Sequence, residues 1–136
     1  MKDLYSSFRS TYVVAPQTIT GAGNGTGTDL LGHEGCLMIA HVGASGGLLG
    51  ASNKTTIQFL ESSNNVVFSA IADTDLIGGN NTVLIDANGE ANCTHQRSYI
   101  GSARYVTITF AATAGAVSLP VCAEVIKGKP IHAPIV

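Results

Sequence analysis

The side chains best suited to chemistry in this chain are its four histidines and three cysteines. His33, Cys36 and His41 lie close together, and Cys93 and His95 form a second pair. Thiolate sulfur and imidazole nitrogen are zinc ligands, and His33, Cys36, Cys93 and His95 are the set from which a site could be built. The spacing argues against one, since neither group matches a recognised zinc pattern and a C-x-H pair falls on one face of any strand. Cys36, Cys93 and Cys122 are odd in number and widely spaced, so buried free thiols are expected rather than a disulfide framework.

Nucleophilic catalysis needs a serine or cysteine held beside a base and a carboxylate. The one match to G-x-S-x-G, GASGG at residues 43 to 47, lies in a Gly-rich connection with no helical pattern after it, so it is not read as a nucleophile elbow. Asp73 and Asp75 would share one face of a strand as a carboxylate pair, but in a turn such residues satisfy backbone donors instead. The run GAGNGTGTD, residues 21 to 29, has glycine at every second position and fits neither dinucleotide nor P-loop spacing, and no helical pattern follows it. It reads as a flexible loop. No catalytic residue, metal or cofactor is expected, and the chain is not read as an enzyme.

The composition suits a protein that works by contact. Of 136 residues, 45% are hydrophobic and 12% charged, about half the usual charged share. A weakly charged surface offers little repulsion against association. The net charge is −2 and the seven Lys and Arg are scattered, so the basic cluster that nucleic acid demands is missing. No apolar run is long enough to span a bilayer. The segment MKDLYSSFRS lacks the apolar stretch of a signal peptide, which points to a chain made in a cytoplasm. Asn-x-Ser/Thr triplets at Asn24, Asn53, Asn80 and Asn92 then follow from the Asn and Thr content.

The elements that must position these residues are strands. CLMIAHV, residues 36 to 42, is apolar on both alternating faces, as for a central strand of a covered sheet. TTIQFLE, residues 55 to 61, places Ile57 and Phe59 on one face and should form a hairpin with VVFSAI across the turn SSNN. TVLIDANGE ends at the turn signal Asn88-Gly89. RSYIGSARYVTITF, residues 97 to 110, reads as strand, tight turn, strand, with Arg104, Val106, Ile108 and Phe110 on one face. AVSLPVCAEVIK turns Val117, Leu119, Val121, Ala123 and Val125 inward, with an edge or bulge expected at Pro120. GASGGLLGASN, residues 43 to 53, reads as a mobile connection. The sum is one all-β domain: a β-sandwich or jelly-roll-like barrel of about seven to eight short antiparallel strands. Its body spans residues 21–127, between extended arms at 1–20 and 128–136.

Four stretches carry a resemblance. They are LYSSFRSTYVVAP before a loop ending in TDLLG; FLESSNNVVF; YIGSARYVTI; and EVIKGKPIHAP. Across nearly the whole chain they resemble the head decoration, or capsid cement, proteins of tailed bacteriophages, most specifically in the pattern Y-I-G-x-x-R-Y-V. The Gly-rich insert at 43–53 and the cysteines depart from that pattern. The resemblance implies a structural virion protein on the capsid surface, bound to the major capsid protein and to itself as a small oligomer such as a trimer. It implies no nucleic-acid or membrane partner. Tyr99, Ile100, Gly101, Arg104, Tyr105 and Val106 would be the structural motif. Leu4, Tyr5, Phe8, Tyr12, Pro130, His132 and Pro134 would lie in capsid-contacting arms. A tail-tube, neck or fibre-base protein is the alternative, and a carbohydrate-binding module a more distant one, disfavoured by the lack of Trp.

Overall fold

Alternating apolar residues become strands because they can bury one face while the other stays polar. A computed structural model describes residues 4–5, 7–115 and 118–130. The strands are β1 (Arg9–Ile19), β2 (Thr28–Asp29), β3 (His33–Val42), β4 (Lys54–Ser62), β5 (Ser69–Ala70), β6 (Leu76–Ile77), β7 (Thr82–Ile85), β8 (Cys93–Tyr99), β9 (Tyr105–Ala114) and β10 (Leu119–Pro130). One 3-10 turn, Asp73–Asp75, precedes β6. Two antiparallel sheets form a β-sandwich: one ordered β1-β10-β3-β8-β6, the other β2-β9-β4-β5 with β7 also paired to β4. Among the described residues no helix is long and apolar enough to cross a membrane.

The core fills the space between the sheets. Met38, Ala40, Ala123, Val125 and Leu119 from the first sheet meet Ile57, Phe59, Val106, Ile108 and Phe110 from the second, all fully buried. Each large apolar side chain removed from water contributes about 1.5–3 kcal/mol. These inward faces follow the alternation expected for β4, β9 and β10. Val117 lies outside the described residues.

Several expectations fail, each for a physical reason. RSYIGSARYVTITF is not a hairpin. β8 pairs with β3 and β6, while β9 pairs with β4 and β2. Residues 100–104 therefore form an arch that carries the chain from one sheet to the other. Arg104 lies in that arch, exposed, and does not share the buried face of Val106, Ile108 and Phe110. Residues 9–19, expected in an N-terminal arm, are edge strand β1, paired with β10 from Arg9↔Lys127 to Ile19↔Leu119. Likewise β10 continues as strand past residue 127 to Pro130, opposite His33.

Pro120 is the second residue of β10, a strand flanked on both sides, and the irregularity lies in β1, between Tyr12 and Val14 and between Val14 and Gln17. Pro120 is tolerated because pairing with β3 begins one residue later, at Val121↔Val42. The hairpin after β4 does form, but its return strand is only Ser69–Ala70.

The 21–27 loop lies flat across β9. Gly23 exchanges two backbone hydrogen bonds with Phe110, at 2.7 and 2.8 Å. A Cβ on Gly25 would sit 2.1 Å from the Ile108 carbonyl oxygen, so only glycine allows this approach. The loop buries Thr107, whose hydroxyl donates to the Thr26 carbonyl at 2.9 Å.

Candidate interaction surface

The residues singled out for chemistry do not converge. Cys36 pairs with Tyr99 at one end of the β3–β8 ladder, whereas Cys93 pairs with Val42 at the other. Six residue steps of strand, about 20 Å, separate them. Among the described residues no group of three or more His, Cys, Asp or Glu side chains could hold a metal. Asp73 and Asp75 lie in the 3-10 turn, where the Asp73 carboxylate accepts the Asn81 N–H at 2.8 Å.

The structure does assemble one trio that sequence reading missed, on the outward face of the first sheet. His41 is the direct cross-strand partner of Cys122, and its Nε2 lies 3.2 Å from Glu124. The other ring nitrogen lies 3.4 Å from the Thr94 hydroxyl, and the Ser10 hydroxyl donates to the second Glu124 oxygen. Both imidazole nitrogens are thus engaged away from the thiol. Burial, and then the Glu124 charge, raise the Cys122 pKa, the reverse of what a nucleophilic thiolate needs. The Ser10 bond foremost, with His41, holds the Glu124 carboxyl below its usual range against the opposing effect of burial. This trio is a polar clasp joining β1, β10, β3 and β8. Only strand register could have revealed it.

The arch at 100–104 is tied to both sheets. Tyr99 is 1% exposed. Its hydroxyl accepts the Ala103 N–H at 2.8 Å and donates to Glu61 of the opposite sheet at 2.5 Å. Gly101 folds over the ring so closely that a Cβ there would lie 2.6 Å from it. Arg104 donates two hydrogen bonds to Asp29, at 3.0 and 2.7 Å, and lies over the Tyr105 ring at 5.1 Å. Ile100 N–H reaches the Asp75 carbonyl and Leu30 N–H the Arg104 carbonyl. Four residues of the motif, Tyr99, Gly101, Arg104 and Val106, therefore act within the scaffold. Ile100 differs: its side chain is 55% exposed.

Ile100 belongs to an apolar pole. The start of β1, the end of β10, the start of β3 and the end of β8 meet there, as do the turns before β3 and after β4. Eleven large apolar side chains are exposed among the described residues; seven of them (Leu4, Tyr5, Phe8, Leu31, Val66, Val67 and Ile100) lie at this end or in the segment leading to it. The pole continues onto the outer face of the first sheet. There a groove of about 510 Å³ runs between Phe8, Leu37, Ile100 and Ile126. Its floor includes Gly128 and Gly35, which face each other across β10 and β3, and the Phe8 ring packs over Gly128.

This face explains the two-sided apolar character of CLMIAHV. Met38 and Ala40 point into the core, while Leu37 and Ile39 take the outward parity, Leu37 half-buried and Ile39 buried among its neighbours, and no described strand covers that side. The expectation of a sheet covered on both faces is met on one only. Of the residues expected in arms, Leu4, Tyr5, Phe8 and Tyr12 are exposed. Tyr12 is on β1 opposite Glu124. Pro130 pairs with His33 at the end of β10. His132 and Pro134 lie outside the described residues.

No protein-family model matches the chain, and no curated protein matches it. Among solved structures, the SPBc2 prophage-derived protein YomS is similar at a TM-score of 0.45 and 14% identity, over 88% of this chain and 93% of that one.

Proposed function

We propose that this chain is a structural virion protein, a head decoration (cement) protein that attaches to the outer surface of a tailed-phage capsid. The observation that carries this reading is the apolar pole: most of the large exposed apolar side chains gather at one end of a body with few charges. A contiguous exposed apolar surface marks a contact site. The Y-I-G-x-x-R-Y-V resemblance supplies the kind of partner, a major capsid protein, with copies of this chain as the second partner.

The mechanism is added contact area. Each copy places Leu31, Val66 and Val67 against the lattice, in turns held by hydrogen bonds from the Leu31 N–H to Asp29 and from the Val66 and Val67 N–H groups to Asn64, so little ordering entropy opposes binding. Repetition by symmetry converts modest single-site affinity into tight attachment. Recombinant protein should bind capsids that lack it and raise their resistance to heat or chelator. A Leu31→Glu, Val66→Glu variant should fold but bind at least about tenfold more weakly, since each substitution removes an apolar anchor. Failure of the wild-type protein to bind such capsids would overturn the proposal.

A further inference from the structure

We infer that the groove between Phe8, Leu37, Ile100 and Ile126 receives the segment 131–136 of a second copy of this chain. This is independent of capsid attachment and holds for the protein in solution. The groove is part of the β10 path itself, for Ile126 and Gly128 help to form it and the strand leaves it at Pro130. The next six residues are Ile-His-Ala-Pro-Ile-Val, five of them apolar. They can reach about 20 Å when extended, well beyond the two-residue step from Gly128 to Pro130.

Chemistry matches on both sides. Isoleucine and valine side chains suit an apolar groove walled by Phe8, Leu37, Ile100 and Ile126. Glu34 is the charged side chain in the groove lining, and His132 is the titratable side chain in the segment. β10 runs out of the groove toward the pole, so a second copy facing the pole is reached along the strand direction. Filling the same groove from its own chain needs a full reversal within the first residues after Pro130. Exchange between two copies buries both apolar segments at once.

The test uses the full chain and two full-length variants, Ile135→Asp on the segment and Ile100→Glu on the groove wall. Sedimentation equilibrium reports self-association, and circular dichroism confirms that each variant folds. The wild-type protein should self-associate, and each variant should do so at least about tenfold more weakly. A peptide of sequence KPIHAPIV should bind folded Ile135→Asp protein, perturbing Leu37, Ile100 and Ile126 methyl resonances, and should not bind the Ile100→Glu protein. A wild-type monomer, unaltered association in either variant, or a peptide that binds elsewhere or not at all would overturn the inference. Capsid binding is read separately, so loss of one result leaves the other intact.

Discussion

Replacing Tyr99 with phenylalanine removes one oxygen atom from the centre of the arch and leaves the ring in place. The Ala103 N–H loses its acceptor and Glu61 loses its donor. A hydrogen bond to a charged group is worth about 1.5–3 kcal/mol and a neutral one about 1 kcal/mol. Glu61 is half-buried and regains part of its loss from water, so the expected cost is about 2–3 kcal/mol. With about 2.1 cal/mol/K of unfolding entropy per residue, the 136 residues give about 290 cal/mol/K, and the melting temperature should fall by about 7–10 °C. Calorimetry or thermal circular dichroism measures this directly. A second signature lies in alkali. Burial first, and then the hydrogen bond with Glu61, raise the Tyr99 pKa well above its usual 10. The folded state keeps a proton that the unfolded chain releases, so this contribution is intact below about pH 10 and is lost as pH rises toward the folded value. The wild-type advantage over Tyr99→Phe should shrink over that range. A loss under about 1 kcal/mol at neutral pH would refute the view that this hydroxyl ties the two sheets.

Gly101→Ala should destabilise by about 1–3 kcal/mol, because the new methyl group meets a ring that two hydrogen bonds hold in place, whereas Gly21→Ala, with open space around it, should leave the melting temperature nearly unchanged. Arg104→Ala should cost at most a few degrees of melting temperature, since the Asp29 pair is exposed and screened by salt. The Arg104 hydrogen bond foremost holds the Asp29 carboxyl below 3.8, so the difference between wild type and variant should be present above that pH and vanish as pH falls through the folded value. Thiol titration should separate the three cysteines: Cys93, exposed, reacts first, and Cys36, whose pKa burial pushes up to about 12, reacts only when the protein unfolds.

The strongly periodic segments were legible in the sequence, and their inward faces could be named residue by residue. Ile57 and Phe59, or Val121, Ala123 and Val125, follow from parity alone because one face of each strand is buried. The choice between hairpin and arch was not legible. The motif YIGSARYV announces a turn, but whether the second strand pairs with the first depends on Tyr99 facing Cys36 and Tyr105 facing Ser62, partners distant in sequence. β1 escaped notice because its two register irregularities and its exposed edge break the period-2 signal. β2, β5 and β6, with two residues each, are too short to carry any period. The apolar pole was half visible: CLMIAHV showed that β3 had two apolar faces, but only the sheet order shows that one stays open.

The start of β1 and the end of β10 lie at the same end of the sandwich, while the 43–53 connection sits at the far end, where β3 finishes and β4 starts. A guest peptide inserted near Gly47, in the open Gly-Ser-rich bend, would therefore be carried at the end of the sandwich opposite the apolar pole.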